Sequence, residues 1–588
     1  MDLSTDAGGR LRFAGFELDI RSRELRRGER CIRLQEQPFE ILRMMLERPG
    51  DVVTREELRR RLWPDGTFVD FEHSLNAAVK RLRAALGDDA DHPRFVETLP
   101  RRGYRFIGHA AAGADAATEP ATGALPKVRL AVLPFTTLSE TAAQEYFTDG
   151  LTEEMIAQLG QLCRGRIGVV ARWSSMVFKG TTERAREIGR ALRADYLLEG
   201  SVRREGDRVR VTVRLIEAAG ETQLWAETYE RRLTDCLSVQ ADVAARVAAS
   251  LAVELVGDGA LSRPGVPASA SAYQEYLKGR YYWNQWLRPD DDIIDQALAC
   301  FTEALRIDSR FAPAHVGVAR GHIGRARYYR ERPRAALETA RAAVKRALEL
   351  DPQLSEAHLA LGDVRWMLEW DWRGAEAAYL QAIALNPSAE NAHRRYGVML
   401  SAAGRAAEAV AETDRACELD PLCLVVNTSA AWVRYIAGDY RGALDRCRQT
   451  TDLDPEYVPA REIVGLAYLQ MGQTRDALAV LEAAHALAPG NCEVMASLAH
   501  AHAVAGDRSA AESLTLDLRR LKDTRYRSPF HVGIASLGLG DTDAAFAALE
   551  HAVADADPAL AFLAVDPRLE PIRADPRYHR LLELLCLT

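Results

Sequence analysis

Hydrophobic and polar positions along the chain organise it around the stretch from His73 to Phe106. Leu75, Val79, Leu82 and Leu86 fall at i, i+4, i+7 and i+11, one apolar stripe on a helix. Asn76, Lys80 and Arg83 repeat that spacing about 100° round the axis, and Arg81 projects on a third side. Ala77, Ala78, Ala84 and Ala85 are small enough to let the helix approach a surface closely, and Gly87 ends it. Beyond it, Phe95–Leu99 and Tyr104–Ile107 read as two strands around the turn Pro100-Arg101-Arg102-Gly103, which carries two cations.

Upstream, Leu11–Ile20, Glu24–Arg26 and Cys31–Leu34 alternate as short strands. Pro38 opens a helix that ends at Pro49-Gly50. Thr54 caps the next helix, and Glu57 three residues on completes a capping box. Leu58 and Leu62 are its core side, and Trp63-Pro64-Asp65-Gly66 ends it. The predicted order is strands, three helices, then a hairpin.

Past residue 107 the pattern changes twice. Residues 108–126 are small residues and proline, a flexible linker with nothing to form a core. Residues 128–255 then alternate strand and helix. Val128–Pro134, Ile167–Ala171, Tyr196–Arg204, Arg208–Ile216 and Leu224–Tyr229 read as strands; Tyr146–Leu162, Arg184–Leu192 and a closing Val239–Leu255 read as helices. The expected product is an α/β domain with a mixed sheet. After a second linker, 257–271, the chain is helical and periodic. Prolines 387, 421, 455 and 489 recur every 34 residues, as do glycines 404, 438, 472, 506 and 540 and alanines 375, 409, 443, 477, 511 and 545. A 34-residue period with Ala, Gly and Pro at fixed offsets is the tetratricopeptide repeat signature. The copy from Val458 to Pro489 is the strongest, and roughly eight copies run from Ala272 to a capping segment, Asp566–Leu585.

Composition narrows the function. The net charge of −8 excludes a chain that coats nucleic acid by bulk charge. It is uneven: residues 1–107 hold 21 Lys+Arg against 19 Asp+Glu, the remainder 55 against 65. Any nucleic-acid contact therefore rests on where the cations sit. Nine cysteines are scattered with no CxxC, as in a reduced, cytoplasmic protein. No run of 18 apolar residues occurs, so no membrane contact is expected. The chain holds no GxSxG, GxxxxGK[ST], GxGxxG or HExxH, and the reading is of no enzyme, no cofactor and no metal. Asp149-Gly150 with Glu153-Glu154 is the one acidic cluster that invites a metal or acid/base reading. Placed in the first turn of a helix, those acids are instead expected to favour the helix dipole.

A helix with an amide and cations on one face suits the major groove of B-DNA, and a basic hairpin beside it suits the backbone or minor groove. The words REELRRRLW (55–63), VKRLRAAL (79–86) and FVETLPRRGYRF (95–106) resemble the winged helix-turn-helix of OmpR/PhoB-type response regulators over about 100 residues. The resemblance implies that Asn76, Lys80, Arg81 and Arg83 face the groove. It implies that Trp63, His73, Ser74 and Tyr104 touch phosphates, and that Arg101 and Arg102 enter the minor groove. The family often has an arginine where this chain has Pro100, with Arg101 and Arg102 following it. In the resembling regulators a phospho-acceptor domain precedes the module; here the module begins within about ten residues of Met1, so input is expected from the C-terminal side. LAVLPF, YFTDGLTEEM, DYLLEGSVRREGDRVRV and QLWAETY resemble a domain found between DNA-binding or cyclase modules and helical repeats, akin to the N-terminal domain of TolB and to FlgO-type proteins.

The expected chain is multidomain: an α+β winged helix (1–107), a linker (108–127), an α/β TolB-N/FlgO-like domain (128–256), a linker (257–271) and an all-α TPR solenoid with a C-terminal cap (272–588). Its partners are double-stranded DNA, read by a homodimer on two half-sites, and a protein or peptide in the TPR groove. Trp366, Trp370, Trp372, Tyr396, Trp432, Tyr435 and Tyr468 are candidates for lining that groove or for inter-helix packing. The expected function is a DNA-binding transcriptional regulator. The alternative is a TPR scaffold that uses the winged helix for protein docking; the Arg-rich wing argues against it.

Overall fold

The computed structural model describes residues 10–13, 16–19, 24–27, 30–32, 34–47, 52–62, 71–86, 88, 95–99, 102–106, 128–137, 145–163, 167–205, 208–232, 269–285, 292–521 and 526–587. They fall into two compact units, Met1–Thr122 and Gly123–Thr588.

The first unit opens with a four-stranded antiparallel sheet: β1 (Arg10–Phe13), β2 (Phe16–Asp19), β3 (Glu24–Arg27) and β4 (Arg30–Ile32). The single strand expected over Leu11–Ile20 is two strands, paired antiparallel with Phe13 opposite Phe16. Alternation alone does not separate one long strand from a tight hairpin. Helices α1 (Glu36–Glu47), α2 (Arg55–Leu62) and α3 (Phe71–Leu86) follow. A second sheet is built from β5 (Val52–Thr54), β6 (Val96–Leu99) and β7 (Gly103–Phe106) in the order β5-β7-β6. The capping box forms as the sequence indicates: Glu57 N–H donates to Thr54 Oγ1 at 3.2 Å, and Thr54 N–H to Glu57 Oε2 at 2.8 Å. Leu75, Val79, Leu82 and Leu86 are all buried, against Phe16, Phe39, Leu42, Leu58 and Phe106. Each such burial stabilises by roughly 1.5–3 kcal/mol, which fixes the rotation of α3 about its axis.

In the second unit, β8 (Val128–Val132), β9 (Thr136–Thr137), α4 (Glu145–Cys163), β10 (Ile167–Val170), α5 (Arg172–Met176), α6 (Ala185–Leu192), β11 (Tyr196–Glu205), β12 (Arg208–Glu217) and β13 (Thr222–Arg232) build a mixed sheet in the order β10-β8-β11-β12-β13. The first three of these pair parallel and the last three antiparallel; β9 pairs with β11 off this path. β9 and α5 are too short to show in the apolar pattern. The predicted closing helix Val239–Leu255 and both linkers lie outside the described residues.

Among the described residues, eight helix pairs run from α7 (Ala270–Trp283) with α8 (Ile293–Ile307) to the pair Pro529–Gly538 and Thr542–Asp555. The recurring residues each have a mechanical reason. Gly404, Gly438, Gly472, Gly506 and Gly540 have φ of 77°, 80°, 73°, 83° and 78°, the left-handed turn between paired helices. The alanines at 375, 409, 443, 477, 511 and 545 are buried where paired helices meet. Asp439, Asp507 and Asp541, each directly after one of those glycines, cap the next helix through the N–H of residues 442, 510 and 544.

The mixed sheet and the repeats share one core. Leu130, Phe147, Met155 and Val169 cluster with Tyr276, Leu277, Phe301 and Phe311. Edge strand β10 and α5 are also finished by the repeats: Ala171 N–H donates to Leu419 O at 2.9 Å, and Val169 N–H to Ser388 Oγ at 3.3 Å. At the other end the C-terminal segment reaches back over the array. Tyr329 Oη donates to Asp557 at 3.2 Å, the Phe562 ring meets Trp432 edge-on at 5.4 Å, and Trp372 Nε1 donates to Leu585 O at 2.9 Å. The aromatics named as groove candidates are therefore packing residues: Trp366, Tyr396 and Tyr435 are buried, and Trp370, Trp372, Trp432 and Tyr468 sit against apolar clusters. Among the described residues no helix is long and apolar enough to cross a membrane.

Candidate nucleic-acid interface

With its apolar stripe buried, α3 turns Asn76, Lys80 and Arg81 to the surface. Each of the three is held differently. Lys80 is exposed. Arg81 donates from Nη1 to Gln35 Oε1 at 2.5 Å, just ahead of α1. Asn76 Oδ1 accepts the Tyr104 hydroxyl at 2.8 Å, which joins α3 to β7. Tyr104 is itself buried, and Arg55 at the start of α2 lies over its ring at 5.4 Å and donates to its hydroxyl at 3.3 Å.

Arg83 is placed unlike its helical neighbours. It is half-buried, and its Nη2 donates to Val96 O at 2.7 Å and to Thr98 Oγ1 at 2.8 Å. It ties α3 to β6. Arg102 is exposed at the hairpin turn, where its N–H donates to Leu99 O at 3.0 Å and its carbonyl accepts Arg55 N–H at 3.1 Å. Gly103 follows because nothing larger fits: a Cβ there would stand 2.1 Å from Val53 O. Trp63 and Arg101 lie outside the described residues, as do the side chains of His73 and Ser74. The structure thus brings Asn76, Lys80, Arg81, Arg83 and Tyr104 onto or beside one helix. Sequence reasoning missed Arg55 and Gln35, whose roles depend on partners 49 and 46 residues away.

Residues 28–106 match the family described as "Transcriptional regulatory protein, C terminal". This regulator module is followed by a match to "HilA/YgeH-like transcriptional regulator, second domain" over 126–246 and to "Tetratricopeptide repeat" over 468–528. The middle match lies over the region, 128–256, that the sequence words liken to TolB-N/FlgO-type domains. A putative adenylate cyclase 3 of Rhizobium meliloti is 40% identical over 139 residues, 24% of this chain and 23% of that protein. The transcriptional regulator HilA of Salmonella typhimurium is 22% identical over 411 residues, 70% of this chain and 71% of its own length. The regulator module also matches the Klebsiella pneumoniae RstA DNA-binding domain, solved in complex with an RstA box, at 25% identity and a TM-score of 0.15, covering 16% of this chain and 95% of that one. The family matches are to transcriptional regulators, not to enzymes.

The acidic cluster of the middle region has a different role from the one expected. α4 begins at Glu145, so Asp149, Glu153 and Glu154 lie beyond its first turn, and the dipole account does not apply. Glu153 and Glu154 instead grip the buried guanidinium of Arg280 on α7, with Glu154 at 2.7 Å. Asp149 pairs with Lys179 at 2.9 Å. Burial pushes the carboxyls of Asp149 and Glu154 up; for Glu153 burial is outweighed by Arg280 and Arg172, which hold it low. Among the described residues no group of His, Cys, Asp or Glu is arranged to hold a metal.

Proposed function

We propose that this chain is a DNA-binding transcriptional regulator that reads promoter DNA with α3 and the β6–β7 hairpin, as a homodimer in the cytoplasm. Its mixed-sheet and repeat unit supplies the control by recruiting or sensing a protein or peptide partner. The observation that carries the reading is the outward face of α3. A fully buried stripe leaves Asn76, Lys80 and Arg81 outermost, beside a hairpin whose turn bears Arg102. In the major groove arginine pairs bidentately with guanine edges, an asparagine amide donates to a base acceptor, and lysine neutralises phosphate. The match of residues 28–106 to transcriptional regulators supports it.

The test is a gel shift of the intact chain on its own upstream region at two salt concentrations. Specific binding that weakens with salt is expected, and Lys80→Ala lowers the salt slope by about one phosphate's worth. Equal retention of that region and of unrelated duplex refutes the proposal.

A further inference from the structure

Two amides at α3 have their polarity fixed by groups that can only donate. An arginine guanidinium carries no acceptor. Gln35 therefore turns Oε1, not its NH2, to Arg81 Nη1, at 2.5 Å. Arg55 acts on Asn76 at one remove. Its Nη2 donates to the Tyr104 oxygen at 3.3 Å, and the phenol proton goes to Asn76 Oδ1 at 2.8 Å. Both amide oxygens are thus engaged within the protein. What exposed Asn76 has left is the pair of Nδ2 donors. Lys80 and Arg81, the other exposed side chains among the described residues of α3, also only donate.

The bases answer such a face unequally in the major groove. Guanine presents two acceptors, O6 and N7, and no donor. Adenine sets its N6 amino group beside N7, cytosine presents the N4 amino group, and thymine offers O4 beside a methyl. The bidentate pair of asparagine with adenine needs a free amide oxygen to accept from N6, and Tyr104 already holds that oxygen of Asn76.

We infer that α3 reads guanine at two positions, one through Arg81 and one through Asn76. Gln35 and Tyr104 are the positioning residues that set the polarity. The inference rests on the reading of α3 as the groove-facing helix and adds which base it takes. Gln35 occupies one N–H of the Arg81 guanidinium and leaves the other donors of the fork for O6 and N7. Asn76 donates from Nδ2 to a guanine acceptor. Adenine N6 or cytosine N4 at either place sets donor against donor, and neither finds a partner in a desolvated interface. Lys80 is left for phosphate.

The experiment is selection of binding sites from a randomised duplex library by the intact chain and four variants. Asn76→Ala and Arg81→Ala mark the two positions, as those whose base preference each abolishes. The wild type is expected to prefer guanine at both by about fivefold or more. Tyr104→Phe frees Asn76 Oδ1 and is expected to move the Asn76 position toward adenine while the Arg81 position keeps guanine. Gln35→Ala is expected to lower the guanine preference at the Arg81 position alone, by about threefold or more. A wild-type motif with adenine, cytosine or thymine preferred at either position overturns the inference and leaves the DNA reading standing. So does a Tyr104→Phe or Gln35→Ala profile that matches the wild type or weakens every position alike. A library that yields no motif at all overturns the DNA reading, and this inference with it.

Discussion

Tyr104 and Asn76 face each other across 2.8 Å, the phenol of the hairpin donating to the amide oxygen of α3. The bond settles which way the amide points. With Oδ1 engaged by the hydroxyl, the Nδ2 donors are the end of Asn76 left to meet an acceptor such as a base edge. Tyr104→Phe keeps the buried ring and deletes this restraint, together with the 3.3 Å bond the hydroxyl accepts from Arg55. Its expected cost is about 1 kcal/mol of stability, and its coupling to Asn76→Ala in a double-mutant cycle is of similar size. Additive losses in calorimetry would show that the two residues do not act as a pair.

Arg83 and Lys80 differ by three positions and fall on the same polar stripe, yet the fold uses them differently. Arg83→Ala removes the two Nη2 bonds to Val96 O and Thr98 Oγ1 and so the tie between α3 and β6. A loss of roughly 1–3 kcal/mol is expected, seen as faster hydrogen exchange over 96–106. Lys80→Ala is expected to change stability by less than about 0.5 kcal/mol while weakening DNA binding. Identical melting of the two variants would contradict this division.

At the hairpin, Gly103→Ala drives a Cβ into the backbone of β5, with Val53 O and Thr54 Cα both within 2.9 Å. Backbone cannot turn aside as a side chain does. The expected loss is at the upper end of, or beyond, the roughly 1–3 kcal/mol usual for overpacking, with the β5–β7 pairing lost from hydrogen exchange. Serine in place of alanine should be no milder, because it carries the same Cβ.

The repeats contain buried histidines that resist protonation. Burial lowers His531 to about 3 and His500 to about 4. Below about pH 6.5 the unfolded chain takes up protons at both that the fold refuses, so these groups subtract stability progressively as pH falls from about 6.5 toward 4. His531→Gln removes one of them. The wild type is expected to lose about 1.4 kcal/mol more per pH unit than the variant between pH 6 and 4. Parallel stability curves for the two proteins would show that His531 is protonated inside the fold.

What the sequence disclosed and what it hid follow from the range of the interactions. The α3 stripe, the Thr54–Glu57 box and the 34-residue period are set by neighbours within a turn or a repeat, so spacing alone exposes them. Arg83 shares its spacing with Asn76 and Lys80, and only the fold shows that Val96 O, 13 residues away, claims it. The acids of α4 look like a dipole-favouring start because their partner, Arg280, lies 126 residues from Glu154. The groove aromatics were ambiguous for the same reason, since the segment that covers Trp432 and Trp372 arrives from the far end of the chain.

The longest-range contacts also decide whether the mixed sheet and the repeats unfold together. Asp420, buried at the end of a repeat helix, accepts Ser174 N–H at 2.8 Å and Ser174 Oγ–H at 2.5 Å. Burial pushes its carboxyl up to about 6, and the two Ser174 donors oppose that push. Beside it, Leu419 O takes the amide of Ala171. These bonds satisfy the open side of β10 and the start of α5, which would otherwise be a bare edge. Asp420→Ala leaves the buried Ser174 N–H and hydroxyl without this acceptor, at an expected cost of about 1–3 kcal/mol. Since Leu130, Phe147, Leu277 and Phe301 already form one core, the wild-type region from Val128 to Leu587 is expected to melt in a single transition. The variant is expected to lower that transition without splitting it, with exchange rising first at Val169–Ser174. Two transitions in the wild-type chain within that region, one for the sheet and one for the repeats, would show that the shared core does not couple them.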